Sequence, residues 1–537
     1  MRWVLALVFA AAVVGTATAA VEADKDALAS AFAAQAGPPA QAGAPALAGA
    51  LDGQDAPGGE DLVTVMSRNL YLGADISAAL DLLPDLPAAA DFMWRQVRAT
   101  DFSIRAGLIA QEAAAFQPAV IGLQEATRWL CTSSLWARPV PVYDFTQQLL
   151  QATAAAGTEY VVAEAQGRRA ANPGYRIGPL PWSTVTDPAT FQPLFGSDSA
   201  NCGFEIGDTL LVRSDLASEV RAVGTSEYDA REVIVPTVLS IDRGYAWADI
   251  AVAGTVARFV TTHLESRWRP GAKTTAAIQA QQLVADLAPT TGPLVVMGDF
   301  NSDYRDPRPP GAPNPADQPV ASAACPEQVA APAVQSARDE CSPYWIMRKA
   351  GFISAGPDDF DPAYFSYGAS ALLAGPDPQR LAAGLQMGNP NGFTDRLDYV
   401  FVRNGVTGDT GETIGSIWPN GPQTWACNTP EQVDATAAAG EVLTAAGRDA
   451  PPPGSGICLP SDHAGLVVSM RVDPSLSVAA DPPPTEHDPF RLVWWHILLG
   501  LLAAVLLLVR WRLRARRRRR AARAAAAQAE SEQGEPY

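Results

Sequence analysis

The sequence predicts a layered α/β fold for one large body, residues 61–472, and three observations lead there. Seven short apolar runs each carry polar residues at or near one end: LVTVMSRN (62–69), AVIGLQE (119–125), DTLLVRSD (208–215), RFVTTHLE (258–265), LVVMGDFN (294–301), RLDYVFV (396–402) and AGLVVSMRV (464–472). Runs of this length, rich in Val and Leu and bounded by turn residues, are buried strands. Two stretches among them have helical character: Phe102 to Phe116 leads into AVIGLQE, and Thr274 to Leu287 leads into LVVMGDFN. Strands interleaved with helices, followed by consecutive strands late in the body, indicate layers of both kinds rather than an all-β fold.

The flanks read as targeting segments. In residues 1–20, Arg2 supplies a short charged region, Trp3 to Val14 an apolar one, and Ala17-Thr18-Ala19 a small-residue cleavage site, so a signal peptide is expected. Residues 21–60, rich in Ala, Gly and Pro, form a flexible leader. After the body, residues 473–491 with DPPPTEHDP read as a stiff stalk. The run 492–509 is eighteen residues whose only strongly polar member is His496, and this suits a membrane span of about 17–25 residues. Trp494, Trp495 and Trp511 mark its edges, and the Arg-rich tail 510–537 is placed in the cytoplasm by the preference for positive charge inside. No LPxTG precedes the run, so a retained single-span anchor is expected, with the body outside the cell membrane.

Composition narrows the function. The chain has 537 residues, 48% hydrophobic and 18% charged, which excludes a mostly disordered or fibrous protein. Net charge is −18; nine arginines against three glutamates give the tail +6, leaving −24 for the rest. Such a body has no electrostatic footprint for non-specific nucleic-acid binding. Six cysteines, all before the span and none at C-x-x-C spacing, suit disulfides in an exported body. Of the fifteen possible connectivities, near-neighbour pairing joins 131–202, 325–341 and 427–458. Regions 130–200, 303–345 and 405–457, which hold four of these cysteines and adjoin Cys202 and Cys458, read as long loops.

The polar residues at the run ends carry the chemistry. Asn69 ends the first run and Glu125 the second; His263 lies near the end of the fourth, and Asp299 and Asn301 at the end of the fifth; Asp398 lies in RLDYVFV; Asp462 and His463 precede the last. Strand ends on one sheet edge form clefts where ligands bind. Individually each is ordinary turn or surface chemistry, but the body holds only two histidines, His263 and His463. Asp208 and Arg128 are candidate supporting residues. No G-x-S-x-G elbow, H-E-x-x-H helix or P-loop occurs.

The ordered set, with VVMGDFNS, IGLQE and LPSDHAGLVV its most specific pieces, resembles the endonuclease/exonuclease/phosphatase superfamily of deoxyribonuclease- and sphingomyelinase-like phosphoesterases. The resemblance covers about residues 61–472 and implies a four-layer sandwich of two packed mixed β-sheets flanked by helices. It implies that Glu125, assisted by Asn69 and Asp462, holds Mg²⁺, with Mn²⁺ and Ca²⁺ as the other hard cations of that chemistry. It implies that Asp299 positions the attacking water, Asn301 holds a phosphoryl oxygen, His463 contacts the phosphate and is oriented by Asp398, and His263 is a general-acid candidate. The motif SRNLYLGAD lacks the acidic residue that apurinic endonucleases carry two positions after Asn; Leu70 and Tyr71 follow instead. The expectation is an exported, membrane-anchored phosphodiesterase acting on nucleic acid or a phospholipid headgroup, with no protein partner. The alternative is an inactive extracellular binding module on the same fold.

Overall fold

The computed structural model describes residues 62–478 except 84, 133–137, 183–199, 236–238, 268–273, 309–340, 377 and 446–454. All belong to the unit Pro57–Tyr537. The expected signal peptide, leader, membrane span and tail, and most of the stalk, lie outside the described residues. Among those described, no helix is long and apolar enough to cross a membrane.

Strands of two mixed sheets are, in chain order, β1 (Leu62–Asn69), β2 (Val120–Gln124), β3 (Arg128–Thr132), β4 (Val140–Asp144), β5 (Tyr160–Val162), β6 (Ala171–Trp182), β7 (Ala200–Arg213), β8 (Val220–Glu227), β9 (Gly244–Val252), β10 (Thr255–His263), β11 (Leu294–Asp299), β12 (Ile353–Ser354), β13 (Asp398–Arg403), β14 (Val406–Ile414) and β15 (Gly465–Val472). The nine-stranded sheet runs β14-β15-β1-β2-β7-β3-β4, with β5 and β6 also pairing β7. The six-stranded sheet runs β8-β9-β10-β11-β13-β12. Helices are α1 (Ile76–Asp81), α2 (Leu86–Ala99), α3 (Phe102–Phe116), α4 (Phe145–Ala155), α5 (Thr275–Leu287), α6 (Pro343–Lys349), α7 (Pro378–Met387) and α8 (Pro430–Ala445).

Alternation along the strands sorts side chains into three apolar layers, because successive residues point to opposite faces. In β1, Val63 and Val65 meet Phe259, Val295, Met297 and Val400 of the other sheet. Met66, one residue on, packs beneath the helices with Phe102, Ile109 and Phe145. On the far side Val260, Val296 and Phe401 are covered by Ala276, Ala280 and Leu283 of α5 and by Tyr344 and Met347 of α6. The order is therefore helices, nine-stranded sheet, six-stranded sheet, helices, which is the four-layer sandwich expected. Near the functional edge the sheets approach so closely that a Cβ on Gly122 would lie 3.1 Å from Thr261 Oγ1.

Both expected helices form, α3 over the span read from sequence and α5 beginning one residue later, after its N-cap, Thr274, accepts the Ala277 N–H. Two regions expected as loops are instead ordered in part. Within 130–200 lie β4, β5, β6 and α4, the last capped by Asp144, which accepts the Gln147 N–H. Within 405–457 lie β14 and α8. Their low-contrast composition hid them: α8 is Ala-rich with only Gln432, Ala435 and Ala439 buried. Cys131–Cys202 and Cys427–Cys458 are disulfides. Cys341 is also disulfide-bonded, and Cys325 lies outside the described residues.

Cys131 and Cys202 sit opposite one another on β3 and β7 with no exposure. Replacing both with Ala should cost about 2–5 kcal/mol, the usual effect of losing a native disulfide that closes a long loop. Urea unfolding of oxidised wild type against the double variant checks this; unchanged stability would contradict it.

Candidate active site

Topology carries the polar run ends to one place. Strands β1 and β2 are parallel, as are β10 and β11, so Asn69, Glu125, His263 and Asp299 stand at or just beyond C-terminal ends. Strands β15 and β13 run antiparallel to β1 and β11. Their N-terminal ends therefore return Asp462–His463 and Asp398 to that same edge, and the two sheets face each other across it.

Asp299 is the hub. Its Oδ2 accepts a hydrogen bond from Asn69 Nδ2 at 3.0 Å and lies 3.4 Å from His263 Nε2 and 3.6 Å from His463 Nε2. Its Oδ1 accepts the Asn301 N–H at 2.9 Å. His463 Nδ1 sits 2.8 Å from Asp398 Oδ2. Asn301 donates one amide hydrogen to the Leu264 carbonyl at 2.9 Å. Glu125 Oε2 accepts the Leu72 N–H at 2.5 Å, and Asp462 Oδ1 accepts the Ser461 hydroxyl at 3.4 Å. The eight residues read from the sequence as catalytic or metal-holding thus gather at one edge. Tyr71, Glu125 and Asn301 hold φ of 54°, 53° and 46°. This left-handed region costs a non-glycine residue of order 1–3 kcal/mol and persists where surroundings over-determine it.

The charges explain one another. Asp299 and Asp398 are directly opposite on antiparallel β11 and β13, and like charges so placed repel. His463 relieves them by lying against both. Burial works against its charge, but Asp398, Asp299 and Asp462 hold its pKa up to about 10, so it is an imidazolium at neutral pH. Burial pushes Asp299 up to about 7 against the opposing pull of His463, with Asp398 adding to the rise. His263 behaves oppositely: burial, then Arg243 and His463, lower its pKa well below the ordinary value.

The donor set fits a hard divalent cation. Burial and the neighbouring Asp462 charge push Glu125 up to about 7, and Asp462 is itself raised by burial. Neither carboxylate makes a direct ion pair with a basic side chain among the described residues, although Arg243 and His463 act on Glu125, and His463 and Arg105 on Asp462, from farther off; oxygens not held in a direct pair suit an oxygen-seeking cation. Asp299, Asp398 and His463 also offer ligand atoms within 4.8 Å of one another. There, however, the Asp398–His463 hydrogen bond already engages one atom of each.

Several supporting residues carry no sequence motif. Arg105, fully buried, donates to the carbonyls of Leu70, Tyr71, Thr100 and Pro460, stitching the Asn69 turn to the Asp462 loop. Arg68 pairs with buried Glu112 at 3.2 Å and donates to the His463 carbonyl at 2.6 Å. Ser366 Oγ accepts the Leu397 and Asp398 N–H groups, and the Tyr367 ring lies 4.8 Å from that of His463. Asp208 is buried beside Arg243 and Glu125, and burial raises its pKa. Arg128, expected as support for Glu125, instead pairs on the surface with Asp144 and Glu205. Its strand position turns it away from the cleft.

A sandwich with carboxylate, amide and imidazole groups converging at a shared sheet edge defines a class of phosphoester hydrolases. The Endonuclease/Exonuclease/phosphatase family model matches residues 93–463, and the chain belongs to this family, whose enzymes are metal-dependent hydrolases of phosphoester bonds. Among solved structures, it is similar to humanized D. rerio TDP2 (14% identity, 77% of this chain and 100% of that one, TM-score 0.34). It is also similar to an endonuclease/exonuclease/phosphatase from Beutenbergia cavernae (16%, 77% and 72%, TM-score 0.36). A third is mannosyl-6-phosphatase of Bacteroides thetaiotaomicron (16%, 76% and 99%, TM-score 0.33). No curated protein matches the sequence.

The raised Glu125 pKa has a measurable sign. Between its ordinary 4.5 and about 7, the folded chain keeps a proton that the unfolded chain has released. The Glu125 contribution to stability in EDTA therefore falls as pH rises through that window. Urea unfolding across it should show this slope, reduced in Glu125→Gln, and flattened in wild type by a divalent cation competing for the same oxygens. A Glu125→Gln slope identical to wild type would contradict the assignment.

Proposed function

We propose that the chain is a phosphodiesterase that hydrolyses its substrate by single-step, in-line attack of water, without a covalent intermediate. The observation that carries this is the pairing of an imidazolium, His463, with two opposed carboxylates beside a second pair, Glu125 and Asp462, that makes no direct ion pair among the described residues. A phosphodiester repels nucleophiles, so its site must neutralise the ester while holding water in line.

In this reading Glu125, Asn69 and Asp462 hold Mg²⁺. When bound, the cation withdraws charge from the phosphoryl oxygens and lowers the pKa of nearby water. The chain's own groups do the rest. His463, fixed by Asp398 through Nδ1, presents its Nε2–H toward Asp299 and the cleft, where it can donate to a phosphoryl oxygen. Asp299, with a pKa near neutrality, is poised to orient water and accept its proton. Asn301 has a second amide hydrogen available for a phosphoryl oxygen.

The substrate we favour is a nucleic acid or a phospholipid headgroup. The −24 charge outside the tail argues against tight polyanion binding, and the expected membrane anchor would keep the body near lipid headgroups. Export, single-pass anchoring and an extracellular catalytic body are part of the same proposal.

Purified exported body should be assayed in parallel on plasmid DNA, RNA and sphingomyelin, with Mg²⁺ or EDTA. Mg²⁺-dependent product from one substrate class supports the reading and names the substrate; no product from any, or from a generic bis-aryl phosphodiester, would leave a binding module instead. Glu125→Gln and His463→Ala should each reduce turnover by at least about a hundredfold while the circular dichroism spectrum is unchanged. Retention of most activity by either would sink the assignment.

A further inference from the structure

We infer that Arg243 fixes His263 in one neutral tautomer, Nδ1 accepting and the Nε2–H aimed at the cleft, making His263 a hydrogen-bond donor to phosphoester oxygens rather than an acid that protonates the leaving group. The inference rests on the phosphoester reading of the same edge.

The hairpin of β9 and β10 sets up the contact. Its register pairs Tyr245 with Thr262, which brings Gly244 level with His263 at the end of β10 and Arg243, just before β9, one position beyond. Arg243 Nη1 lies 3.0 Å from His263 Nδ1, and both side chains are buried. A guanidinium has five N–H donors, no acceptor and a permanent charge. Only a lone pair on Nδ1 can meet it; a proton there would set N–H against N–H. The single proton of the neutral ring then sits on Nε2, and that atom faces Asp299 Oδ2 at 3.4 Å.

Arg243 is held from behind. Its Nε lies 3.5 Å from buried Glu265 Oε2, and its guanidinium stands 5.7 Å from the Tyr175 ring centroid. Glu265 Oε1 is fixed by the Ser266 and Arg267 N–H groups. Glu125 and Asp208 add two further buried acidic groups nearby. The charged groups facing His263 are thus Arg243, Asp299 and His463, two of them cations, and its lowered pKa agrees with a neutral ring.

The two site histidines differ by one partner each. Nδ1 of His463 meets a carboxylate, so that ring is an imidazolium; Nδ1 of His263 meets a guanidinium, so that ring is neutral. A neutral Nε2–H is far too weak an acid to protonate a departing oxygen, and taking up the second proton would displace Arg243. The general-acid role implied by the resemblance is therefore replaced here by donation of a hydrogen bond.

The test is a long-range ¹H–¹⁵N spectrum of the full chain with ¹⁵N-labelled histidine, assigned with His263→Gln. The expected result is an unprotonated Nδ1 and a protonated Nε2 for His263 across about pH 5–8, where an ordinary histidine titrates. A protonated Nδ1 or a doubly protonated ring at neutral pH would overturn the inference, whether or not the chain hydrolyses anything. Arg243→Gln should let His263 titrate within that range; if this variant does not fold, the wild-type spectrum still decides. On aryl phosphodiesters of graded leaving-group acidity, His263→Gln, which keeps an N–H near the Nε2 position, should lose about tenfold and His263→Ala about a hundredfold. Neither should change the dependence on leaving group. Equal losses that grow with leaving-group pKa would overturn it. The expected tautomer in a chain that hydrolyses no phosphoester would refute the phosphoester reading and leave the Arg243–His263 pairing standing.

Discussion

Asp299 ties the two sheets together where the chemistry is gathered. It belongs to the six-stranded sheet, yet its carboxylate takes a hydrogen bond from Asn69 of the nine-stranded one at 3.0 Å. The Asp398–His463 bond crosses the same gap at 2.8 Å, and Gln124 Nε2 reaches Thr261 Oγ1 at 2.9 Å. These contacts form a polar seam at one end of an otherwise apolar interface. Buried polar groups are costly unless partnered, so each group in the seam constrains its neighbour. A shift of one sheet against the other would break several bonds together.

That seam also sets the charge states. Two carboxylates directly opposed across β11 and β13 need a cation between them, and His463 is placed to be one. Glu125 and Asp462 make no direct ion pair among the described residues, though Arg243 and His463 act on the first and His463 and Arg105 on the second. One pair of carboxylates is met directly by His463, and the other keeps its oxygens out of direct ion pairs, where an added cation would find them. Arg68 and Arg105 work below this surface. Neither touches the cleft carboxylates in an ion pair, but each ties the turns that present them, through the carbonyls of His463, Leu70, Tyr71 and Pro460. Left-handed backbone at Glu125 and Asn301 is tolerable in this setting, because the turns have little freedom to relax.

Much of this was readable in the sequence because its signals are local. A run such as LVVMGDFN shows both that it is a strand and that its end is polar, and Asn69, Glu125, Asp299 and His463, each ordinary alone, stood out through their occurrence together in one order. What failed was of two kinds. Helix α4 is rich in Ala and Gln and α8 in Ala, both with narrow buried faces, so periodicity stood out poorly; the cap at Asp144, three residues before Gln147, was the usable signal for α4. Arg243 and Arg105 fail for a different reason. Their importance comes from partners 20 and more residues away, and Arg243 becomes meaningful only once the register of the β9–β10 hairpin is known. Arg128 misled because nearness to Glu125 in sequence says nothing about which side of a pleated strand a residue takes.

At the shared sheet edge, among the described residues, the chain pairs Asp299 and Asp398 directly with His463 and leaves Glu125 and Asp462 outside direct ion pairs. Crystals soaked in Mn²⁺ and measured at the manganese absorption edge test it most directly. The account predicts an anomalous peak bound by Glu125 together with Asp462 or Asn69. A peak seated between Asp398 and His463, or no peak anywhere along that edge, would contradict it.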